Sequence, residues 1–162
     1  AEQRDMLKKE SKNIPIFFSA NMSLGINLLT ALAKKAAKLL ADGYDIEIVE
    51  RHHNQKVDAP SGTALAIADG ISGVLDTAPE YVYDRHNVRR KRRKNEIGIH
   101  SVRGGTIVGD HEIIFAGTDE VIELRHSAQS KEVFAAGALK AAKFLAGKPN
   151  GLYSMDDLVA NI

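Results

Sequence analysis

Residues 44–63 read YDIEIVERHHNQKVDAPSGT, and the change of period along this stretch decides the fold. Tyr44, Ile46 and Ile48 alternate with Asp45, Glu47 and Val49, which predicts a half-buried strand running straight into Arg51-His52-His53. After Pro60 the spacing lengthens: SGTALAIADGISGVL sets Ala64, Leu65, Ile67, Ala68 and Ile71 along one stripe of a helix. A strand is thus followed, across a short polar link, by a helix whose first N–H groups face whatever sits at the strand's end.

Upstream, AEQRDMLKKESKN is polar and helix-forming, and IPIFFSAN is a short apolar run expected to be a buried strand. Ser23 is placed to cap a helix in which Leu28, Leu29, Leu32, Ala33, Ala36, Leu39 and Leu40 recur at helical spacing, closed by Asp42-Gly43. Downstream, residues 76–95 have loop composition. EIGIHSVRGG, TIVGDHEIIFAG and DEVIELRHSA then form three strand candidates, and their glycine-containing links suit antiparallel neighbours. Ser130 is placed to cap KEVFAAGALKAAKFLAG, a helix ending at Gly147, and LYSMDDLVANI supplies a last helical turn or two. The expected class is α+β, a mixed, largely antiparallel sheet covered by helices.

The bulk properties exclude several classes. Hydrophobic residues at 44% and charged residues at 27% of a 162-residue chain are ordinary for one globular domain, and no apolar run is long enough to span a bilayer. With no cysteine there is neither a disulfide framework nor a thiolate metal site. No charged leader with an apolar core is visible, so a cytoplasmic protein is expected. The net charge of +1 conceals an asymmetry: RHNVRRKRRK, residues 85–94, is wholly basic apart from neutral positions, while the remainder of the chain is net negative.

Candidate chemistry concentrates between Arg51 and Thr63. Neighbouring residues on a strand point to opposite faces, so His52 and His53 cannot both chelate one ion and need separate roles. Lys56 supplies a cation near imidazoles that titrate close to neutrality, a combination suited to proton transfer. Pro60 has a fixed φ and no N–H, Gly62 permits close approach to the backbone, and Ser61-Gly62-Thr63 opens a helix: together they suit a carboxylate or phosphate. The cluster reads as a pocket for a small anion whose neighbouring atoms exchange protons.

The stretch Glu47 to Leu65, EIVERHHNQKVDAPSGTAL, resembles the signature of the 4-hydroxy-tetrahydrodipicolinate reductases (dihydrodipicolinate reductases) of lysine and diaminopimelate biosynthesis. SANMSLGINLL (residues 19–29), EIGIHSVRGGTIVGDHEIIFAG, RHSAQSKEVFAAGALKAAKFL and GLYSMDDL extend the resemblance over nearly the whole chain. It implies NADH- or NADPH-dependent reduction of a cyclic imine dicarboxylate to tetrahydrodipicolinate. His52 and Lys56 would be the catalytic proton-transfer groups, and His53, Ser61, Gly62 and Thr63 would hold the substrate. Ser19, Ala20, Asn21 and Met22 would be the last cofactor contacts, Met22 standing where phenylalanine is often found. It further implies a homotetramer assembled through the sheet, with no nucleic-acid or membrane partner and no metal.

The chain departs from that family pattern in one large respect. It contains no glycine-rich turn between a strand and a helix, the feature that cradles a dinucleotide, and no threonine-rich segment for the nicotinamide; Gly104-Gly105 links two strands and does not qualify. The resemblance therefore covers the C-terminal portion of a two-domain reductase whose Rossmann half is mostly missing, a truncated form expected to be inactive alone. Residues 1–22 match the last helix and strand of the nucleotide-binding domain, 23–147 the substrate-binding and oligomerisation domain, and 148–162 a segment returning toward the nucleotide-binding half.

Three other readings compete. The basic stretch 85–94 invites nucleic-acid binding, but no aromatic is interleaved within it, so a solvated loop that helps attract an anionic ligand is preferred. HEIIF at His111 begins like a zinc-protease helix, but Phe115 occupies the second histidine position, and His100, His111 and His126 are isolated in sequence. A non-catalytic dicarboxylate-binding and tetramerisation module is the remaining alternative for the chain as it stands.

Overall fold

The computed structural model describes residues 2–160. In chain order its elements are α1 (Glu2–Glu10), β1 (Pro15–Phe17), α2 (Leu24–Leu40), β2 (Asp45–His52), α3 (Gly62–Ser72), β3 (Glu80–Val82), β4 (Glu96–Arg103), β5 (Gly109–Ala116), β6 (Val121–Ala128), α4 (Glu132–Leu145), β7 (Gly151–Tyr153) and α5 (Met155–Ala160). The last two residues of LYSMDDLVANI lie outside the described residues. Two compact units result, one running to Leu28 and resuming at Lys131, the other being Leu29–Ser130.

In the first unit β1 and β7 pair in parallel, and Ala141, Met155 and Leu158 form a core on which Phe17, Met22, Leu24 and Phe144 pack. Gly137 is what allows α4 this close: a Cβ there would stand 1.7 Å from the Met22 carbonyl oxygen. β1 is half-buried rather than buried, and Phe18 beside it is exposed, because a two-stranded ribbon covers only one side. Ser23 caps α2 as expected, accepting from the Ile26 N–H at 3.3 Å. At α4 the helix start differs by one residue from the expectation: Lys131, not Ser130, occupies the cap position, and its own side chain makes no capping hydrogen bond.

The second unit is built on a five-stranded sheet of order β3-β4-β2-β5-β6. β2·β5 and β5·β6 are antiparallel over seven and eight registered pairs, while β2·β4 and β3·β4 are parallel over seven and three, giving the mixed, largely antiparallel sheet expected. β4 and β5 are not neighbours despite their short link. β2 lies between them, and the link crosses its end: the Gly104 N–H donates to the His52 carbonyl, and the Gly105 carbonyl accepts from Asn54. Gly105 takes a left-handed φ of 48° to make that crossing. Residues 76–95 are not all loop, since Glu80–Val82 adds a short parallel edge strand to β4.

One face of this sheet is the core. The registers set Ile97, Ile46 and Phe115 in one row and Ile99, Ile48 and Ile113 in the next, all buried. Each such side chain contributes about 1.5–3 kcal/mol by leaving water. α3 lies on this face with Ala64, Ile67, Ala68 and Ile71 buried; Leu65 is only half-buried. In α2 the buried stripe is Ile26, Leu29, Ala33 and Ala37, narrower than the leucine pattern suggested, and Leu28, Leu32 and Leu39 stay exposed. Gly70 of α3 sets the approach of α2, as its missing Cβ would lie 3.2 Å from Thr30.

Candidate active site at the end of strand β2

The core face changes character at its third row. Beyond the isoleucines the registers bring together Ser101, Glu50, His111 and His126, and the row after that carries Arg103 beside His52. The alternation that buries Ile46 and Ile48 therefore buries Glu50 and His52 too, at 0% and 9% exposure. A carboxylate cannot stay there unpaired. Arg103 grips it with a fork, Nη1 to Oε2 at 2.8 Å and Nη2 to Oε1 at 2.7 Å, and the Ser61 N–H donates to Oε1 at 3.1 Å. The Nδ1 of His52 lies 2.5 Å from Oε2. Burial pushes the Glu50 carboxyl up, but Arg103, then His52, Ser101 and the Ser61 N–H outweigh it and hold the group at about 2.

Ser61 joins strand to helix. It is the N-cap of α3, its Oγ accepting from the Ala64 N–H at 3.1 Å, and the same oxygen lies 3.1 Å from Nε2 of His111. Burial, then the neighbouring His52 ring, pushes His111 down to about 4, so it is neutral near pH 7. His52 and His111 meet edge to face with centroids 5.2 Å apart. A cis Ala59–Pro60 peptide carries the chain from the strand end to this cap.

The remaining predicted residues sit on the link. Asn54–Lys56 turn back on His53, whose carbonyl accepts from the Lys56 N–H at 3.1 Å. Lys56 is not a free cation: its Nζ lies 2.7 Å from Asp58. Lys56, and then the backbone N–H groups of Asp58 and Gly62, hold the Asp58 carboxyl below its ordinary range against the opposing effect of its partial burial. The start of α3 thus already has a carboxylate near it, contributed by the chain. Gly62 has open space where a Cβ would be. His52, His53, Lys56, Ser61, Gly62 and Thr63 all lie along this one strand-to-helix passage, whereas Ser19, Ala20, Asn21 and Met22 belong to the first unit. There Asn21 accepts through its carbonyl from Ser19 and Asn27 and through Oδ1 from the Ser23 N–H, and Met22 packs in the core.

Sequence reasoning missed Glu50 and His111 as parts of the site and left Arg103 open. Glu50 carried the signal: it stands in phase with Ile46 and Ile48, so the alternation itself predicts a buried carboxylate. His111 was weighed only as half of a metal motif. Among the described residues no group of three or more His, Cys, Asp or Glu is arranged to hold a metal ion.

The basic stretch also behaves differently from a solvated loop. Glu96 is buried and paired with Arg85 at 2.7 Å and with Arg90, while Glu47, lying across Gly98, takes Arg85 at 2.6 Å, Arg92 at 3.0 Å and His100 at 2.7 Å. Arg92 adds Asp45 at 2.8 Å. With Arg93 3.2 Å from Glu80 of β3, four of its arginines fold the loop onto the sheet. Cavities of 310 Å³, lined by Tyr44, Leu75, Asn95 and Ile97 among others, and 410 Å³, lined by Thr106, Asp110, Ser127 and neighbours, lie elsewhere on the unit; neither is lined by residues 50–63. No helix among the described residues is long and apolar enough to cross a membrane.

A buried carboxylate shared among a buried imidazole, a half-buried arginine and the N–H of a helix cap is an arrangement whose groups can bind an anion and pass a proton. Residues 25–159 match the family model described as dihydrodipicolinate reductase, C-terminus, and the chain belongs to that family. Curated relatives named 4-hydroxy-tetrahydrodipicolinate reductase include those of Caldanaerobacter subterraneus subsp. tengcongensis, 64% identical over 98% of this chain and 62% of the relative, and Staphylococcus aureus, 55% identical over 94% and 62%. The dipicolinate-bound dihydrodipicolinate reductase from Paenisporosarcina sp. TG-14 superposes with a TM-score of 0.75 at 26% identity, covering 99% of this chain and 60% of that one. The chain thus spans about three fifths of the length of the proteins it matches.

Proposed function

We propose that this chain is the dicarboxylate-binding and proton-transfer portion of a 4-hydroxy-tetrahydrodipicolinate reductase, acting in lysine and diaminopimelate biosynthesis in the cytoplasm. The observation that carries the reading is that Glu50 touches both the His52 imidazole and the Ser61 N–H, so one buried group ties a proton-transfer side chain to an anion-binding helix end. The family membership and the dipicolinate bound to the similar Paenisporosarcina reductase support a ring dicarboxylate as the ligand, and favour this reading over a non-catalytic module.

One carboxylate of the ligand is assigned to the N-terminus of α3, at Ser61, Gly62 and Thr63, and the other to His53 and Lys56. His52, through its Nε2, and the Lys56 ammonium are the groups that donate or accept protons at the ring as charge develops there. Lys56 must exchange its Asp58 partner for the ligand, so the ligand's carboxylate competes with one the chain already provides.

The cofactor of the whole enzyme is NADPH or NADH, which supplies the hydride. The residues present do not fit a dinucleotide by themselves: no glycine-rich cradle occurs in the sequence, and the polar atoms of Asn21 named above are engaged with Ser19, Ser23 and Asn27. No step is therefore assigned to this chain's own hold on the nucleotide. Residues 1–22 and 148–162 are assigned to the nucleotide-binding half, with Ser19, Ala20, Asn21 and Met22 as its last contacts, and 23–147 to the substrate half. The open face of the sheet, with Val102 and Val121 exposed, is assigned to a homotetramer interface.

The decisive experiment completes the chain with the upstream portion of the 64% identical relative and replaces His52 by Ala. Turnover is expected to fall by about 10²-fold or more. A change in substrate affinity alone would remove His52 from the chemistry. The chain alone is expected to show no micromolar NADPH binding by nicotinamide fluorescence; micromolar binding would contradict the division of labour proposed here.

A further inference from the structure

Glu50 touches the imidazole, the arginine and the helix start of the proposed site, and its bonds restrict what His52 can do. An ionised carboxylate accepts hydrogen bonds and donates none. With Oε2 2.5 Å from Nδ1, the ring proton belongs on Nδ1, and a neutral imidazole is left with its lone pair at Nε2. Nε2 lies beside Gly109, where a Cβ would come within 3.1 Å, so the glycine keeps the ring's outer edge clear. Arg103 prevents the carboxylate from turning away: its fork fixes both oxygens, and its Nη2 also donates to the Asp58 carbonyl at 2.6 Å, in the link that carries Lys56.

We infer that Glu50, gripped by Arg103, is a positioning residue for the reaction: it locks His52 in the Nδ1–H tautomer with Nε2 turned toward the ligand, and through the Ser61 N–H it sets the end of α3 on the same carboxylate. This rests on the reading of His52 as the proton-transfer group, and it adds what makes that imidazole competent. A buried ion pair with no such role would need only Arg103. The bond to His52 is the surplus.

The test is long-range ¹⁵N–¹H correlation of the His52 ring in the ¹⁵N-labelled chain, at a pH where the ring is neutral, with and without pyridine-2,6-dicarboxylate. The wild type is expected to show a pyrrole-like Nδ1 and a pyridine-like Nε2. Glu50→Gln presents an amide to Arg103 and is expected to shift the ring toward the Nε2–H form, and Arg103→Lys, which loses the fork, to do so in part. A wild-type ring in the Nε2–H form overturns the inference, as does a Glu50→Gln ring that keeps its tautomer. If the glutamine variant fails to fold, the wild-type spectrum still decides, because the tautomer itself is the claim. Ligand that leaves the amides of Gly62, Thr63 and Ala64 unmoved while the tautomer is as expected overturns instead the reading of function, and with it the purpose assigned to the clamp.

Discussion

Two glutamates are fully buried in the sheet unit, and the contrast between them separates a site from a scaffold. Glu50 lies two residues before the end of β2 on the core face, and Glu96 begins β4 on the other face. Both carboxyls are held at about 2, and both are met by arginine. Glu96 is satisfied by Arg85 and Arg90 of the basic stretch, so its bonds close a loop onto the sheet. Glu50 divides its bonds among one arginine, one imidazole and the amide at the start of a helix. Equal burial and equal acidity thus say nothing about function; the partners do. Charges neutralised by fixed cations make a clasp, whereas a charge shared with a titratable ring and a helix start joins the groups to which the proposed function gives the chemistry.

The comparison breaks most visibly by truncation. Glu50→Ala and Glu96→Ala each strand an arginine and are expected to cost about 3–5 kcal/mol in urea unfolding followed by circular dichroism. Only Glu50→Ala should also abolish pyridine-2,6-dicarboxylate binding in calorimetry; equal loss in both variants would erase the distinction drawn here.

Acid sharpens it next. His111 is depressed on folding, so the unfolded chain takes up its proton first, and stability is lost as the pH falls from the ordinary 6.5 to about 4. The two glutamates have the opposite charge and a lower range: their contribution is present above the ordinary 4.5 and is lost as the pH falls toward about 2. Urea midpoints across pH are therefore expected to decline in two stages. His111→Asn is expected to reduce the upper stage by at most about 1.4 kcal/mol per pH unit, leaving the part due to His126, which burial also pushes down, and to leave the lower stage intact.

A smaller effect concerns the carboxylate already near α3. Asp58→Ala frees Lys56 and the Gly62 N–H, and dicarboxylate affinity is expected to rise by about tenfold or less, roughly 1 kcal/mol. A fall would mean that Asp58 orients Lys56 rather than competing for it. Smallest of all, Arg89 in the basic stretch is exposed, and Arg89→Ala is expected to stay within about 0.5 kcal/mol of wild type in the same unfolding assay.

How much of this could be read from the residues alone follows from range. The alternation of 44–49 and the stripe from Ala64 to Ile71 are local, and β2 and α3 lie where those periods put them. The passage carrying His52, His53, Lys56, Ser61, Gly62 and Thr63 was legible for the same reason, being contiguous. Strand order was not: that β2 would separate β4 from β5 depends on which strand best fills the centre, a question of packing across the whole sheet. Arg103 and His111 enter the site only through that order, since each neighbours β2 by register. The basic stretch misled for a related reason, because Glu47, Glu96 and Asp45, which neutralise it, are acids counted elsewhere in the chain.

The most direct check on the central claim is a crystal of this chain soaked with pyridine-2,6-dicarboxylate. One carboxylate should lie within hydrogen-bond reach of the backbone at Gly62 and Thr63, the other near His53 and Lys56, with Nε2 of His52 facing the ring. Ligand bound in either of the two cavities described above, or bound beside α3 with the His52 ring turned away from it, would contradict the site described here.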